Sequence, residues 1–453
     1  MTTTQKIQRK LSDSKKLRWT VLLIVSFTTM WGYFLTDAMS PLMTMLEEQM
    51  HWSSGDFGSF NWAYCWLNVF LFMLIFSGII LDKFGVRITG IGACLLMILG
   101  AGIKFYAVEF ISPEAEAGTI LGFRTQVFVA CVGYAIFAVG TETCGITVTK
   151  VIARWFKGKE LALAMGIQVA VARLGTALAM IVCPIIVANF SMSTPLLFSL
   201  VLLVIGFLAY MVFCVIDKKR DAEGEVEEEA EEQFKLSDIK FIVCNKGFWL
   251  IALLCLMFYS AVFPFMKYAT SLMENKYLVD QSLAGLIPSL IPLGNLIMTP
   301  IFGGIYGRIG KGATLMIIGS VLLTLVHLLF ALPLMNYWWF AVIIMIMLGI
   351  AFSLVPSALW PSVPKIIPEK QLGSAYAIIF WVQNIGLGFV PLIIGKVLEK
   401  FCVTGTRIAE NGSASTVYDY TIPMLIFAAF GLVAILLSYL LKKEDAKKGY
   451  GLE

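Results

Sequence analysis

Apolar residues run along this chain in long blocks, not in alternation with polar ones. Mostly apolar stretches recur at 19–45, 57–80, 88–108, 126–152, 161–187, 194–216, 247–272, 281–305, 312–332, 337–360, 373–398 and 421–441. About 20 apolar residues are what an α-helix needs to cross a hydrocarbon layer of about 30 Å. Only helices or closed barrels satisfy every backbone group in lipid, and these blocks are far too long for barrel strands. The pattern predicts an all-α membrane protein with twelve transmembrane helices, several of them interrupted by Gly or Pro.

One polar interruption is much longer than the rest. "DKKRDAEGEVEEEAEEQFKLSDIK", Asp217 to Lys240, is charged and solvated, and its acidic run reads as solubilising. It divides the chain into a tail (1–18), a first six-helix bundle (19–216), a linker (217–246), a second six-helix bundle (247–441) and a second tail (442–453). Composition agrees, with 59% hydrophobic and only 14% charged residues. With the first helix entering from the cytoplasm, 25 of the 34 Lys and Arg fall on the inner side. Arg124, Lys276, Lys400 and Arg407 fall outside, and five lie within spans. That asymmetry places both termini in the cytoplasm, and it accounts for the basic N-terminus without nucleic acid. The nine cysteines show no CxxC spacing, and His51 and His327 are the only histidines, so no metal or other cofactor is expected. No nucleophile–base pair suggests an enzyme, and no cleavable signal peptide is visible.

The two halves share short signals. "GIILDKFGVR" (Gly78–Arg87) follows the second span, and "GGIYGRIGKG" (Gly303–Gly312) follows the eighth. "GKELALAMGI" (Gly158–Ile167) opens the fifth span, and "EKQLGSAYAI" (Glu369–Ile378) opens the eleventh. Parallel six-helix repeats with a substrate site between them describe one major transporter architecture. The first signal has the form GxxxD[RK]xGx[RK], which resembles the loop signature of the major facilitator superfamily. Gly78 is expected to allow close helix approach and Gly85 a tight turn. Asp82 is expected to accept from helix N-termini and Arg87, forming with Lys83 a latch that makes and breaks as the halves rock. Gly307 replaces the aspartate in the second copy, so the latch is one-sided.

Two ionisable residues fall deep within spans. Arg173 lies 12 residues into the fifth helix, roughly 18 Å at 1.5 Å per residue, and Glu142 is roughly 17 Å into the fourth. Charges at that depth are costly and by default mark a transport pathway. They could form a structural ion pair, or they could divide a site between them. In the second case Arg173 offers its planar fork to a carboxylate, and Glu142 accepts from an ammonium. Amino acids and short peptides carry both groups; a phosphate ester would be repelled by Glu142. Asp37, Lys104 and Lys267 sit roughly 24–30 Å in, near the outer mouth. Asp37 and Glu142 are the candidate proton sites, and His327 reads as a core residue. Tyr64, Trp66, Gln168, Lys267, Trp360, Gln383 and Asn384 are further candidate substrate-binding residues; the amides could equally bond neighbouring helices.

A more specific resemblance rests on "GYFLTD" (Gly32–Asp37), "WAYCWLNV" (Trp62–Val69), "WFKGKEL" (Trp155–Leu161), "ARLG" (Ala172–Gly175), "VFPF" (Val262–Phe265), "ALWP" (Ala358–Pro361), "PEKQLGSAY" (Pro368–Tyr376) and "QNIGL" (Gln383–Leu387). In this order they resemble the lysosomal dipeptide transporter branch of the superfamily, over most of the membrane region. The resemblance implies a major facilitator fold and facilitated dipeptide movement. It also implies a glutamate near the ligand's amino end (Glu142), an arginine near its carboxylate (Arg173), and side chains held loosely. Two departures stand out. The branch's acidic dileucine sorting signal is missing from "DSKKLRW" (Asp13–Trp19), so a cell membrane, as in a bacterial inner membrane, is expected instead of the lysosome. Lys267 follows "VFPFM" where a small residue is usual. The branch's accessory subunit is not carried over, and the chain is expected to act as a monomer.

The resulting expectation is an alternating-access carrier for dipeptides or similar small zwitterions. The rival is a carrier for organic anions or sugar acids, proton-coupled or not, using Arg173 and Lys267 as cations.

Overall fold

The computed structural model describes residues 14–113, 118–156, 160–222, 241–333, 335–368, 371–408 and 414–453, apart from the side chains of Asp82 and Ala162. Helix α1 (Lys15–Asp37) starts at Ser14, whose hydroxyl accepts from the Leu17 N–H, one of the donors left orphaned at a helix start. A single 3₁₀ turn (Ser40–Leu42) and α2 (Met43–Met50) continue it to the far side of the molecule. There follow α3 (Ser54–Ala63), α4 (Trp66–Phe70), α5 (Met73–Phe110), α6 (Thr125–Trp155), α7 (Leu161–Asn189) and α8 (Thr194–Ala222). The second half contains α9 (Lys246–Lys276), α10 (Leu286–Ile309), α11 (Gly312–Ala331), α12 (Trp338–Ile366), α13 (Leu372–Phe401) and α14 (Thr421–Lys448). Two small hairpins cap the far side: β1 (Thr119–Ile120) with β2 (Phe123–Arg124), and β3 (Val403–Ile408) with β4 (Ala414–Tyr418).

Among the described residues, eleven helical segments are long and apolar enough to span a membrane. The twelfth expected span, 57–80, is not continuous. It is made of α3, α4 and the start of α5, broken at Tyr64–Cys65 and again at Phe72, whose φ is +52°. Breaks in lipid are tolerated where neighbours satisfy the freed groups. Here the Val69 carbonyl, which an unbroken helix would have bonded, accepts from the Trp381 indole N–H of α13 at 3.1 Å. A second bend falls at Gly85, with φ +73° and ψ 173°, a conformation only glycine adopts without strain. Helix α8 runs six residues past the expected start of the linker, because Asp217, Arg220 and Asp221 are engaged in ion pairs. The rest of the linker, 223–240, lies outside the described residues, as do the first thirteen residues of the N-terminal tail.

Large apolar side chains such as Leu23, Leu99, Leu208, Leu325 and Leu432 face outward. That apolar exterior is the mark of helices solvated by lipid. Within each half, α5 packs on α6 and α8, and α14 packs on α9 and α11. The halves meet through α3 on α13, α7 on α10, and the 3₁₀ turn on α9.

The far side is sealed by backbone-to-backbone approach. A Cβ on Gly58 would stand 2.7 Å from the Pro391 carbonyl, and Gly285 lies against the Met180 carbonyl. Gly395 lies against the Ser54 carbonyl, and the Ser54 hydroxyl donates back to the Gly395 carbonyl at 3.0 Å. Toward the side that carries the termini, Gly145, Gly166, Gly303, Gly307 and Gly373 have nothing within 4 Å of a Cβ position. Hydrogen bonds and ion pairs between described residues of opposite halves lie from Trp381 outward. The conformation is closed at the far face.

Candidate substrate site

The Arg173 guanidinium lies between the two halves. Its central carbon is 5.2 Å from the ring centre of Phe263 (α9), 5.7 Å from that of Phe352 (α12) and 5.8 Å from that of Tyr33 (α1). Cation–π contacts of this kind are each worth about 0.5–2 kcal/mol, more when dry. Among the described residues no carboxylate lies within ion-pair distance of Arg173. Glu142, on α6, accepts a hydrogen bond at 2.8 Å from the hydroxyl of Tyr64, at the α3 break. The two charges therefore do not pair with each other, although both are half-buried.

A second polar layer sits one turn farther out. Thr176, three residues beyond Arg173 on α7, donates to Asp37 Oδ2 at 2.9 Å. Lys267, four residues beyond Phe263 on α9, donates to Asp37 Oδ1 at 2.6 Å, to the Ser40 hydroxyl at 3.0 Å and to the Thr36 carbonyl at 3.1 Å. Among the described residues this is the one ion pair that joins the two halves. The same Thr36 carbonyl accepts from the Tyr134 hydroxyl at 2.8 Å. Lys104 is buried nearby, its ammonium 4.3 Å from the Tyr134 ring centre and 3.5 Å from the Leu35 carbonyl. Lys267 and Lys104 are thus enclosed by partners within the protein and do not snorkel.

The sequence matches the model of the Major Facilitator Superfamily over residues 22–391. The chain belongs to the major facilitator superfamily. It is 28% identical to the lysosomal dipeptide transporter MFSD1 of Danio rerio over 84% of this chain and 80% of that one. With the protein of the same name from Homo sapiens it is also 28% identical, over 86% and 82%. Among solved structures it superposes on the nucleoside transporter NupG with a TM-score of 0.70, at 16% identity, over 94% of this chain and 99% of that one. A bacterial homolog to the human lysosomal transporter Spinster, in an inward-facing and unoccupied conformation, gives 0.71 at 13% identity, over 96% and 98%. At those identities the structures establish the fold alone. The chain is a multi-pass membrane transporter of this superfamily and not an enzyme.

The remaining expected site residues of this major facilitator chain are dispersed. Trp360 donates its indole N–H to the Tyr259 hydroxyl at 3.0 Å and stacks on Phe380. Tyr259 in turn stacks on Phe263, beneath Arg173. Trp66 joins Trp62, Phe123 and Phe128, a group that shares no ring contact with Arg173. Gln168 is buried on α7, five residues nearer the termini side than Arg173. Both amides bond neighbouring structure: Gln383 accepts from the Cys255 thiol at 3.3 Å, and Asn384 donates to the Phe380 carbonyl at 2.9 Å. The Asn384 carbonyl accepts from the Cys65 thiol of the opposite half at 3.1 Å. His327 is a core residue, bonding the Ala261 carbonyl.

In the loop signature, Arg87 is engaged by α8. Arg87 pairs with Asp221 at 2.6 Å and Asp217 at 3.3 Å, both on α8, where Arg154 also reaches them. Helix α8 carries those two carboxylates onto the Arg87 side of α5. The Asp82 side chain lies outside the described residues. Lys83 is exposed, its ammonium over the Phe84 ring. Gly78 makes no close approach, since nothing lies within 4 Å of a Cβ there, in keeping with the parted glycines on that side. Sequence reading passed over Tyr33, Phe263, Phe352 and Thr176. Tyr33 and Phe263 lie inside quoted motifs, but apolar rings within apolar spans carry no signal of which half they face.

Proposed function

We propose that this transporter carries dipeptides or similar small zwitterions by alternating access, with Arg173 holding the carboxylate and Glu142 the amine. The observation that carries the reading is that the two half-buried charges are unpaired. Among the described residues, Arg173 has aromatic faces around it and no acid, and Glu142 has one neutral hydroxyl donor. An uncompensated charge at membrane depth is unfavourable by at least a few kcal/mol. A ligand with an anionic and a cationic end would relieve both at once. The names of the MFSD1 relatives support the same substrate class.

The organic-anion alternative needs Lys267 as a second free cation, and Asp37 already holds that ammonium at 2.6 Å. A direct Asp37–Lys267 pair also gives Asp37 a gating role that needs no proton. The Lys and Arg asymmetry supports a cytoplasmic placement of both termini, so the far face, closed here, would be the outer one. On the missing dileucine we infer the cell membrane, although the relatives are named lysosomal.

Uptake of a labelled dipeptide into proteoliposomes of the full chain tests the reading. Arg173→Ala and Glu142→Gln should each lower uptake by on the order of 10²-fold, the scale of losing one charge-assisted contact. Near-normal uptake by both variants would sink the site assignment. Counterflow with and without a proton gradient then separates facilitation from symport.

A further inference from the structure

We infer that the two halves divide the ligand between them. The first half supplies the charges for the two termini, and the second half supplies an uncharged aromatic wall for the side chain of the carboxylate-bearing residue. This inference rests on the dipeptide reading above and deepens it by naming the ligand class: dipeptides whose C-terminal residue is large and apolar or aromatic.

Three observations converge. First, Phe263 and Phe352 lie against the Arg173 guanidinium, so whatever binds Arg173 meets the second half at those rings. Second, the rings continue from there toward the termini side. Tyr259 stacks on Phe263 at 5.5 Å, Trp360 lies eight residues past Phe352 on α12, and Phe380 of α13 stacks on Trp360 at 5.0 Å. Eight residues at 1.5 Å make this wall roughly 12 Å tall, enough for one large side chain beside the carboxylate. The Trp360 N–H is spent on the Tyr259 hydroxyl, whose own proton is the neutral polar handle that this pair retains. Third, the wall has no charge to offer. Between Lys246 and Lys267 on α9, before Lys365 on α12, and from Leu372 to Gly395 on α13, the sequence contains no Asp, Glu, Lys or Arg.

An acidic or basic side chain laid on that surface would be desolvated without a partner, whereas an aromatic ring would stack. Hydrophobic pockets discriminate by roughly 10-fold or more per missing group of methylene size or larger, which sets the expected effect.

The experiment measures half-saturation for uptake into proteoliposomes of the full chain. The substrates are Ala-Phe, Ala-Leu, Ala-Ala and Ala-Asp, together with the reversed peptides Phe-Ala and Asp-Ala. Ala-Phe should saturate at a concentration at least about 10-fold below Ala-Asp, with a smaller contrast between Phe-Ala and Asp-Ala. Phe380→Ala and Phe263→Leu should each narrow the Ala-Phe to Ala-Asp ratio several-fold. Equal half-saturation for Ala-Phe and Ala-Asp would overturn the inference while leaving the dipeptide reading standing. A ratio that both variants leave unchanged would overturn the assignment to this wall. Saturable uptake of none of the six peptides would overturn the reading beneath it as well.

Discussion

Arg173 shows how much a single residue's depth reveals and what depth leaves out. A guanidinium 12 residues into an apolar helix is visible in the sequence as an anomaly, and so is Glu142 at matching depth. What the anomaly is surrounded by is decided by helices far away in sequence: α1, α9 and α12 each contribute a ring to Arg173. This environment makes the planarity of the group matter. Arg173→Lys keeps the charge but loses the fork and its stacking faces, so dipeptide affinity should fall by roughly 10-fold or more, measured as half-saturation for uptake. Tyr64→Phe removes the donor that holds Glu142 at 2.8 Å. The loss of one hydrogen bond to a charged group, about 1.5–3 kcal/mol, should appear as weaker binding of the amine end, with little change in expression or thermal stability.

Among the elements, length and apolarity were enough to place eleven of the helical spans, with ends that moved by up to seven residues, as at 441 against Lys448. They failed on the second span, because a block of apolar residues reads the same whether its backbone is continuous or broken. At the break at Phe72 the Trp381 indole of the other half satisfies the released Val69 carbonyl, and beside the break at Tyr64–Cys65 the Cys65 thiol donates to the Asn384 carbonyl across the halves. Gly85 is the opposite case, a bend that a glycine in a turn motif announces. Its φ of +73° with ψ 173° is closed to other residues at about 1–3 kcal/mol. Nothing lies within 4 Å of a Cβ at Gly85, so no packing gain offsets the strain. Gly85→Ala should therefore lower the thermal unfolding midpoint in detergent by about a few degrees; an unchanged midpoint would contradict the backbone argument.

The whole molecule is held in its present state by contacts between halves on the far side, of which Lys267–Asp37 is charged and the glycine seam is steric. Removing one partner of an enclosed ion pair leaves the other uncompensated, at about 3–5 kcal/mol. Asp37→Asn and Lys267→Gln should each raise the population open at the far face. The double charge swap, Asp37→Lys with Lys267→Asp, should bring it back. Spin labels at Leu121 and Leu278, both exposed on the far side of opposite halves, would show this as a longer-distance component in the single variants. If that distribution is the same in all forms, the pair is not a gate. Arg173 with Thr176 on α7 and Phe263 with Lys267 on α9 place site and gate on consecutive turns of two helices. Ligand binding at one layer is therefore positioned to bear on the other.

The sequence by itself determined the class of protein, the twofold plan and the two deep charges. Each of these follows from local quantities: the length of an apolar run, the sign of its flanks, the depth of a residue within it. Tertiary structure alone decided that Arg173 and Glu142 stay apart, that Lys267 is held by Asp37, and that Arg87 reaches two carboxylates of α8. Those outcomes depend on which faces of distant helices meet. A span that is apolar all round gives no periodic signal of the face it will bury, because lipid and protein interior are equally good solvents for it.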